Sequence, residues 1–144
     1  MRTIAEILAA KRLRDVVAVE MTGSVLDAVR RMDEANTGAV VVLEGTRLVG
    51  IFTERDLMRR VVLKGRDVAK TPVAEVMTRD LLYASPKDGG GDAMSKMTRH
   101  RCRHLPVVDG ERLVGVISIG DLMKEMSDEQ SVEIHFLKEY IYSR

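Results

Sequence analysis

Apolar residues follow helical spacing in some stretches of the chain and form short continuous runs in others, which predicts a mixed α and β fold. Residues 4–13 have helical spacing, and Thr3 with Glu6 can form a capping box at the start of that helix. A short apolar run at 16–19 then predicts a strand.

The next stretch predicts a helix, a hairpin and a further helix. Apolar residues at helical spacing follow Ser24, a residue type that caps helices. Two apolar runs, 39–43 and 47–52, flank a short turn and predict a β-hairpin. Thr53 then predicts the start of a helix that extends to about Leu63.

The same order of elements returns 65 positions later. The string L-V-G-I-F-T-E-R-D-L-M at 48–58 returns as L-V-G-V-I-S-I-G-D-L-M at 113–123, and the predicted strand at 16–19 returns at 81–84. A repeat of this length predicts two similar halves packed face to face. The predicted organisation is an N-terminal helix (1–13), repeat 1 (14–64), a polar connector (65–78), repeat 2 (79–126) and a C-terminal helix (127–144).

Three consecutive glycines, 89–91, stand where repeat 1 begins its first helix. A glycine inside a helix costs about 1 kcal/mol relative to alanine. We therefore expect the corresponding helix of repeat 2 to begin late, near Asp92, after a mobile loop. The simpler interpretation is loop variation that the fold tolerates.

The C-terminal stretch from 128 to 142 has an apolar stripe that the repeat does not need, so it is expected to pack on the module or on another subunit. The stripe consists of Val132, Ile134, Phe136, Leu137, Tyr140 and Ile141. Further apolar helix faces are expected at Leu57, Val61, Val62, Leu122 and Met126. Exposed faces of this kind usually mark interfaces, which predicts a homodimer.

Composition narrows the possible functions. The 144 residues carry a net charge of +1, which gives no reason to expect nucleic acid or an anionic membrane as a partner. No apolar run approaches the roughly 20 residues that span a bilayer, and the N-terminus lacks the apolar core of a signal peptide. Cys102 is the single cysteine, which excludes an internal disulfide and favours the cytoplasm.

Each repeat places a hydroxyl and a carboxylate at the start of its last helix: Thr53 with Asp56, and Ser118 with Asp121. The hydroxyl caps the helix, and the carboxylate lies in the first turn near the positive end of the helix dipole. A helix N-terminus, a hydroxyl and a carboxylate together suit a ligand with a phosphate and a sugar diol. Acidic residues are common at this position for the dipole alone, but the repetition of the whole pattern favours a ligand.

Basic residues cluster at 99–104. This cluster is either a solvated face or a phosphate clamp that uses the planar donor fork of Arg103. His100, Cys102 and His104 alternate there, but intervening arginines would repel a cation and no carboxylate completes a ligand set, so no metal site is predicted. No nucleophile is paired with a general base, which argues against an enzyme.

The two glycine-to-aspartate strings, the segment R-H-L-P-V-V-D at 103–109 and the repeated β-α-β-β-α order resemble a tandem pair of cystathionine β-synthase (CBS) domains. The resemblance covers nearly the whole chain and is closest to small stand-alone prokaryotic members. It implies an α+β fold of two β-α-β-β-α repeats related by a pseudo-twofold axis, with short N- and C-terminal helices.

The resemblance also implies two clefts for adenosine-containing ligands, with each aspartate on the ribose hydroxyls. One cleft would contain Thr53, Asp56, Leu81, His104 and Leu105, with Arg103 at its edge. The other would contain Ser118, Asp121, Val16, Gly38 and Ala39. Repeat 1 has Val40-Val41 where repeat 2 has Leu105-Pro106, so the clefts are not expected to be equivalent.

The expected function is a non-catalytic regulatory module that binds AMP, ADP, ATP or NAD(H), requires no other cofactor, and signals to an effector protein as a homodimer. The alternative is a structural protein-interaction module whose clefts are empty. Nucleotide-induced stabilisation would separate the two.

Overall fold

The computed structural model describes residues 1–11 and 16–142, without the side chains of Val132, Tyr140 and Tyr142. The helices are α1 (Ile4–Ala10), α2 (Val25–Ala35), α3 (Glu54–Asp56) with a π-helical continuation (Leu57–Val62), a 3-10 turn (Val73–Glu75), α4 (Gly90–His100) and α5 (Ile119–Tyr142). The strands are β1 (Ala18–Glu20), β2 (Ala39–Glu44), β3 (Arg47–Thr53), β4 (His104–Asp109) and β5 (Arg112–Ser118).

The five strands form one mixed sheet in the order β1-β2-β3-β5-β4. Each repeat contributes an antiparallel hairpin, β2 with β3 and β4 with β5, and the register shifts at equivalent places, after Val42 and after Val107. The hairpins meet where Arg47 lies opposite Arg112. The predicted α+β fold of two repeats is therefore confirmed.

Each repeat has its own apolar core. Phe52, Val25 and Met32 belong to the core of repeat 1, and Leu105 and Ile117 belong to that of repeat 2. Ile4 and Ile7 of α1 pack into the core of repeat 2, whereas Val73, Val76 and Met77 of the connector pack into that of repeat 1. The part of the connector from Val73 to Met77 is therefore a docked segment with buried side chains, whereas residues 65–70 are mostly exposed, as expected of a polar link.

The N-terminal arm and the connector are a second pair of repeated segments. Residues 4–8 read I-A-E-I-L and residues 73–77 read V-A-E-V-M. The N–H of Ile4 donates to the carbonyl of Asp88, and the N–H of Val73 donates to that of Gly23, both at 2.8 Å. Gly23 and Asp88 are equivalent positions of the two repeats, so each arm docks in the same way.

The predicted strand at 81–84 is wrong, because only Ala84 bridges to Val107 there. In repeat 1, the N–H of Val41 donates to Val17 and the N–H of Met21 donates to Leu43. The equivalent donors in repeat 2 would be Pro106 and Pro86. Proline has no N–H, so the ladder on this side stops after one pair.

The predicted late start of α4 is also wrong, because the helix begins at Gly90 with Gly89 as its N-cap. Gly90 is buried, and its N–H donates to the carbonyl of Arg2 at 2.9 Å. A Cβ atom there would lie 2.5 Å from Met1 Sδ and 3.0 Å from Ile7 Cδ1. A side chain at this position would therefore have to displace Met1 and press on Ile7 of the docked N-terminal arm.

The remaining helix predictions hold in part. Thr3 and Ser24 form the predicted capping interactions, but the predicted end of α1 at Leu13 lies outside the described residues. The helix after Thr53 is π-helical from Leu57 to Val62. The predicted C-terminal helix is the continuation of the last helix of repeat 2, since α5 is unbroken to Tyr142.

Candidate functional site

The hydroxyl and carboxylate of each repeat form a reciprocal cap. The N–H of Asp121 donates to Ser118 Oγ at 3.1 Å, and the N–H of Ser118 donates to Asp121 Oδ2 at 2.9 Å. Thr53 and Asp56 make the same pair of bonds at 3.1 and 3.2 Å. The repeated sequence pattern therefore builds the same local geometry twice.

The carboxylate of Asp56 is buried and fully engaged. Its side chain is 8% exposed, and Thr78 Oγ1 lies 3.0 Å from Oδ1 and 3.2 Å from Oδ2. Thr53 donates to Oδ2 from both its N–H and its hydroxyl, and Arg60 Nε lies 3.6 Å from Oδ1. This carboxylate ties β3, the π-helical segment and the connector together.

The carboxylate of Asp121 is more open. Its Oδ2 accepts from the N–H of Ser118 and from Lys11 Nζ, the latter at 2.8 Å, while Oδ1 accepts no hydrogen bond from the residues that the structure describes. Burial opposes ionisation, but the bonds from Lys11 and Ser118 outweigh it and hold the pKa of Asp121 below its ordinary value. Asp121 is therefore an ionised acceptor, and no donor among residues 1–11 and 16–142 occupies its Oδ1.

Asp121 lies at a cavity of about 840 Å³ between the two repeats. Ser118, Asp121 and His104 line it from repeat 2, and Val16, Gly38 and Ala39 line it from repeat 1. Its volume lies within the range of roughly 300–1,000 Å³ that is usual for small-molecule sites. We call this cavity the Asp121 cleft.

The structure thus brings together the five residues predicted for one cleft and adds His104, which was predicted for the other. The other residues predicted to bind a ligand, Thr53, Asp56, Leu81, Arg103 and Leu105, do not line the Asp121 cleft. Leu105 is fully buried in the core of repeat 2, and Arg103 is exposed. The assignment of these residues to a second cleft stays a prediction.

His104 contributes a neutral ring to the Asp121 cleft. Burial lowers the pKa of His104, Asp121 opposes that effect, and Lys11 reinforces it. The imidazole is therefore uncharged at neutral pH, with one nitrogen as donor and the other as acceptor. Such a ring can hydrogen-bond a polar ligand without adding charge.

The N-terminal arm contributes Leu8 and Lys11 to the Asp121 cleft, which the sequence interpretation missed. A Cβ atom on Gly115 would lie 3.1 Å from Leu8 Cδ1, and one on Gly50 would lie 2.5 Å from Met77 Sδ. The glycine in each L-V-G string therefore admits the docked arm. The similarity of residues 4–8 to residues 73–77 is the signal that could have placed this arm against β5.

Three features of the described residues bear on metal binding, cysteine chemistry and membrane insertion. Within residues 1–11 and 16–142, no three His, Cys, Asp or Glu side chains form a group that could hold a metal ion. Burial raises the pKa of the Cys102 thiol, which packs against the core of repeat 2. Among the described helices, none is both long and apolar enough to cross a bilayer.

A family model described as the CBS domain matches residues 4–63 and 73–128. The chain belongs to the CBS-domain family. Each matched segment begins at one of the two repeated arms, and each arm docks on the repeat of the other matched segment. The comparison confirms the resemblance found in the sequence.

The chain covers most of the length of some similar CBS proteins and a smaller part of another. A protein with CBS domains from Burkholderia ambifaria MC40-6, whose name assigns it to signal transduction, superposes with a TM-score of 0.84 at 44% identity, covering 89% of this chain and 96% of that one. CBS domain-containing protein YhcV of Bacillus subtilis (strain 168) is 38% identical over 81% of this chain and 83% of its own length. The chain spans 60% of the mitochondrial Arabidopsis thaliana relative CBSX3.

One CBS neighbour was solved with a nucleotide. Protein PAE2072 from Pyrobaculum aerophilum, complexed with AMP, superposes with a TM-score of 0.74 at 25% identity, covering 88% of this chain and 98% of that one. The chain is thus a tandem CBS module, with one matched CBS segment in each half.

Proposed function

We propose that this CBS pair is a non-catalytic regulatory module that binds an adenine nucleotide, such as AMP, ADP, ATP or NAD(H), in the Asp121 cleft. The observation that carries the proposal is the ionised Asp121 carboxylate, whose Oδ1 is uncommitted among the described residues, at a cavity between the two repeats. A ribose diol can donate to such a carboxylate in charge-assisted hydrogen bonds. The AMP complex of the Pyrobaculum neighbour supports an adenine ligand.

The different environments of Asp56 and Asp121 favour one bound ligand per chain. A diol at Asp56 would have to replace bonds from Thr53 and Thr78 at an almost fully buried carboxylate. A diol at Asp121 meets an oxygen that accepts no bond from the described residues. We therefore expect the Asp121 cleft to bind and the Asp56 position to serve the fold.

Regulation would follow from the position of the cleft between the repeats. In the sheet, the two hairpins are joined by a single residue pair, Arg47 with Arg112. A ligand that contacts both repeats can therefore favour one tilt of repeat 1 relative to repeat 2. A ligand shifts such an equilibrium only by its difference in affinity for the two states. An effector protein or a second copy of this chain would recognise the favoured tilt.

We propose a homodimer through the exposed apolar faces of the module. Of the faces predicted for the interface, Val61 and Leu122 are instead fully buried in the cores, and Leu57 and Met126 are only partly exposed. The exposed apolar side chains are Met58, Val62 and Leu63 on the π-helical side, at 50–72%, and Met123 on α5, at 61%. Apolar side chains clustered in this way on one protein usually mark an interface. A twofold axis would bury the same faces of both copies.

Isothermal titration calorimetry with AMP, ADP, ATP and NAD(H) tests the proposed ligand class. We expect at least one of them to bind with a stoichiometry of one per chain, and Asp121→Asn to weaken it by about 10- to 150-fold, because a hydrogen bond to a charged group contributes roughly 1.5–3 kcal/mol. If none of the four binds at millimolar concentration, the structural interaction module is the better description.

Asp56→Asn is the matched control for that titration, since it makes the same change in the other repeat. We expect it to lower the thermal stability and to leave the affinity of the Asp121 cleft unchanged. Equal weakening of nucleotide binding by the two substitutions would contradict the assignment of the ligand to Asp121.

A further inference from the structure

We propose that Lys11 is a specificity-determining residue of the Asp121 cleft, where its ammonium selects nucleotides that carry an anionic group over neutral nucleosides. The inference rests on the proposed function, because it concerns the ligand of the same cleft. Lys11 lies outside the repeated strings, and its charge would make the cleft prefer anionic adenosine compounds over neutral ones.

The ammonium of Lys11 is held at the cleft by two acceptors. Nζ lies 2.8 Å from Asp121 Oδ2 and 3.3 Å from the carbonyl oxygen of Val116. A lysine ammonium has three N–H donors, so one remains for a ligand. The side chain is 36% exposed, which leaves that donor accessible from the cavity.

The position of Lys11 is fixed by the packed arm that carries it. The N–H of Lys11 donates to the carbonyl of Ile7 at the end of α1, and Ile7 is buried in the core of repeat 2. Leu8 packs against Gly115 of β5 on the same arm. The ammonium is therefore a placed part of the cleft and not a freely moving surface charge.

Lys11 is the only cationic side chain among the described residues that line the cleft. The ionisable side chains there are Lys11, Asp121, Glu34 and His104. His104 is neutral at neutral pH, so its ring does not offset the two carboxylates. Without Lys11, an anionic ligand would face Asp121 and Glu34 with no compensating charge from this lining.

A neutral nucleoside has no negative charge that requires a cationic partner in the cleft. Its diol would donate hydrogen bonds to Asp121, whose Oδ2 already accepts a hydrogen bond from Lys11. Removing the ammonium therefore costs a phosphate its partner and costs a nucleoside little. The ratio of the affinity for a nucleotide to the affinity for its nucleoside therefore measures the effect of the Lys11 charge.

Calorimetric titration of AMP and of adenosine tests the inference on the full chain. Lys11→Gln keeps an amide donor for Asp121 without the charge, Lys11→Arg keeps the charge, and Lys64→Met removes an exposed lysine outside the cleft lining. We expect Lys11→Gln to reduce the ratio Kd(adenosine)/Kd(AMP) by about tenfold or more, because one charge-assisted contact is lost. Lys11→Arg and Lys64→Met should keep the ratio within about threefold of the wild type.

Thermal denaturation of each variant shows whether it is folded, and Lys11→Met provides a second neutral variant if Lys11→Gln is not. A ratio that stays unchanged in the folded neutral variant, with AMP still bound by the wild type, overturns the role of Lys11 and leaves the proposed function intact. Equal weakening of both ligands overturns it too, since that would show a purely structural role. A wild-type chain that binds neither AMP nor adenosine overturns the role of Lys11, and one that also binds none of ADP, ATP and NAD(H) overturns the proposed function.

Discussion

Replacing Thr78 by valine tests whether Asp56 serves the fold. The Thr78 hydroxyl lies 3.0 Å from Oδ1 and 3.2 Å from Oδ2 of Asp56 and donates its one proton to this carboxylate. Valine has nearly the same shape, and the two backbone bonds between Thr78 and Ile51, at 2.8 and 3.0 Å, do not involve the side chain. The substitution therefore removes one hydroxyl beside a buried carboxylate and little else.

The expected loss follows from the burial of Asp56. A hydrogen bond to a charged group contributes roughly 1.5–3 kcal/mol. Thr53 still donates to the carboxylate and Arg60 remains 3.6 Å away, so we expect the lower limit, about 1.5 kcal/mol in the free energy of unfolding. For a chain of this size that corresponds to a fall in Tm of roughly 3–6 °C.

Urea and thermal denaturation measure the change, with Thr98→Val as the matched control. The Thr98 hydroxyl donates to the carbonyl of Met94 on the exposed side of α4, so its loss should change stability by less than about 0.5 kcal/mol. Equal stability of the Thr78 and Thr98 variants would refute the structural role of Asp56. So would a Thr78 variant that keeps its stability but loses nucleotide affinity.

Three further predictions concern the glycines, acid stability and association. Gly91→Ala should raise the free energy of unfolding in urea by about 0.4–1 kcal/mol, because nothing lies within 4 Å of the added Cβ, whereas Gly90→Ala should lower it by about 1 kcal/mol through the clash with Met1 and Ile7. The lowered pKa of Asp121 in the folded protein means that its contribution to stability is complete above the unfolded carboxyl pKa of about 3.9 and is lost as the pH falls through the folded value. Asp121→Asn should therefore flatten the acid limb of a stability-against-pH curve, and an unchanged limb would contradict the Lys11 ion pair. Truncation after Ser127 removes most of the exposed apolar stripe of α5 and should weaken the dimer in light scattering; an unchanged mass at tens of micromolar would count against that face.

The repeat made much of the fold predictable. Hairpins, helix caps and the hydroxyl–carboxylate pairs depend on residues within a few positions of one another, and the sequence shows those directly. The missing strand at 81–84 was also readable in principle, since Pro86 and Pro106 remove its donors.

The difference between the two carboxylates was not predictable from the repeated strings. Asp56 is engaged by Thr78, which lies 22 positions further along the chain, and Asp121 is engaged by Lys11, which lies 110 positions before it. Both partners lie outside the 48–58 and 113–123 strings. The early start of α4 depends in the same way on contacts of Gly90 with the distant N-terminal arm.

The crystal structure of this chain grown with AMP is the most direct test of the proposed ligand site. We predict one AMP per chain in the Asp121 cleft, with the ribose hydroxyls on the Asp121 carboxylate, the phosphate nearest Lys11, and Asp56 still bonded to Thr53 and Thr78. A nucleotide whose ribose is bound by Asp56, with the Asp121 cleft empty, would contradict this prediction.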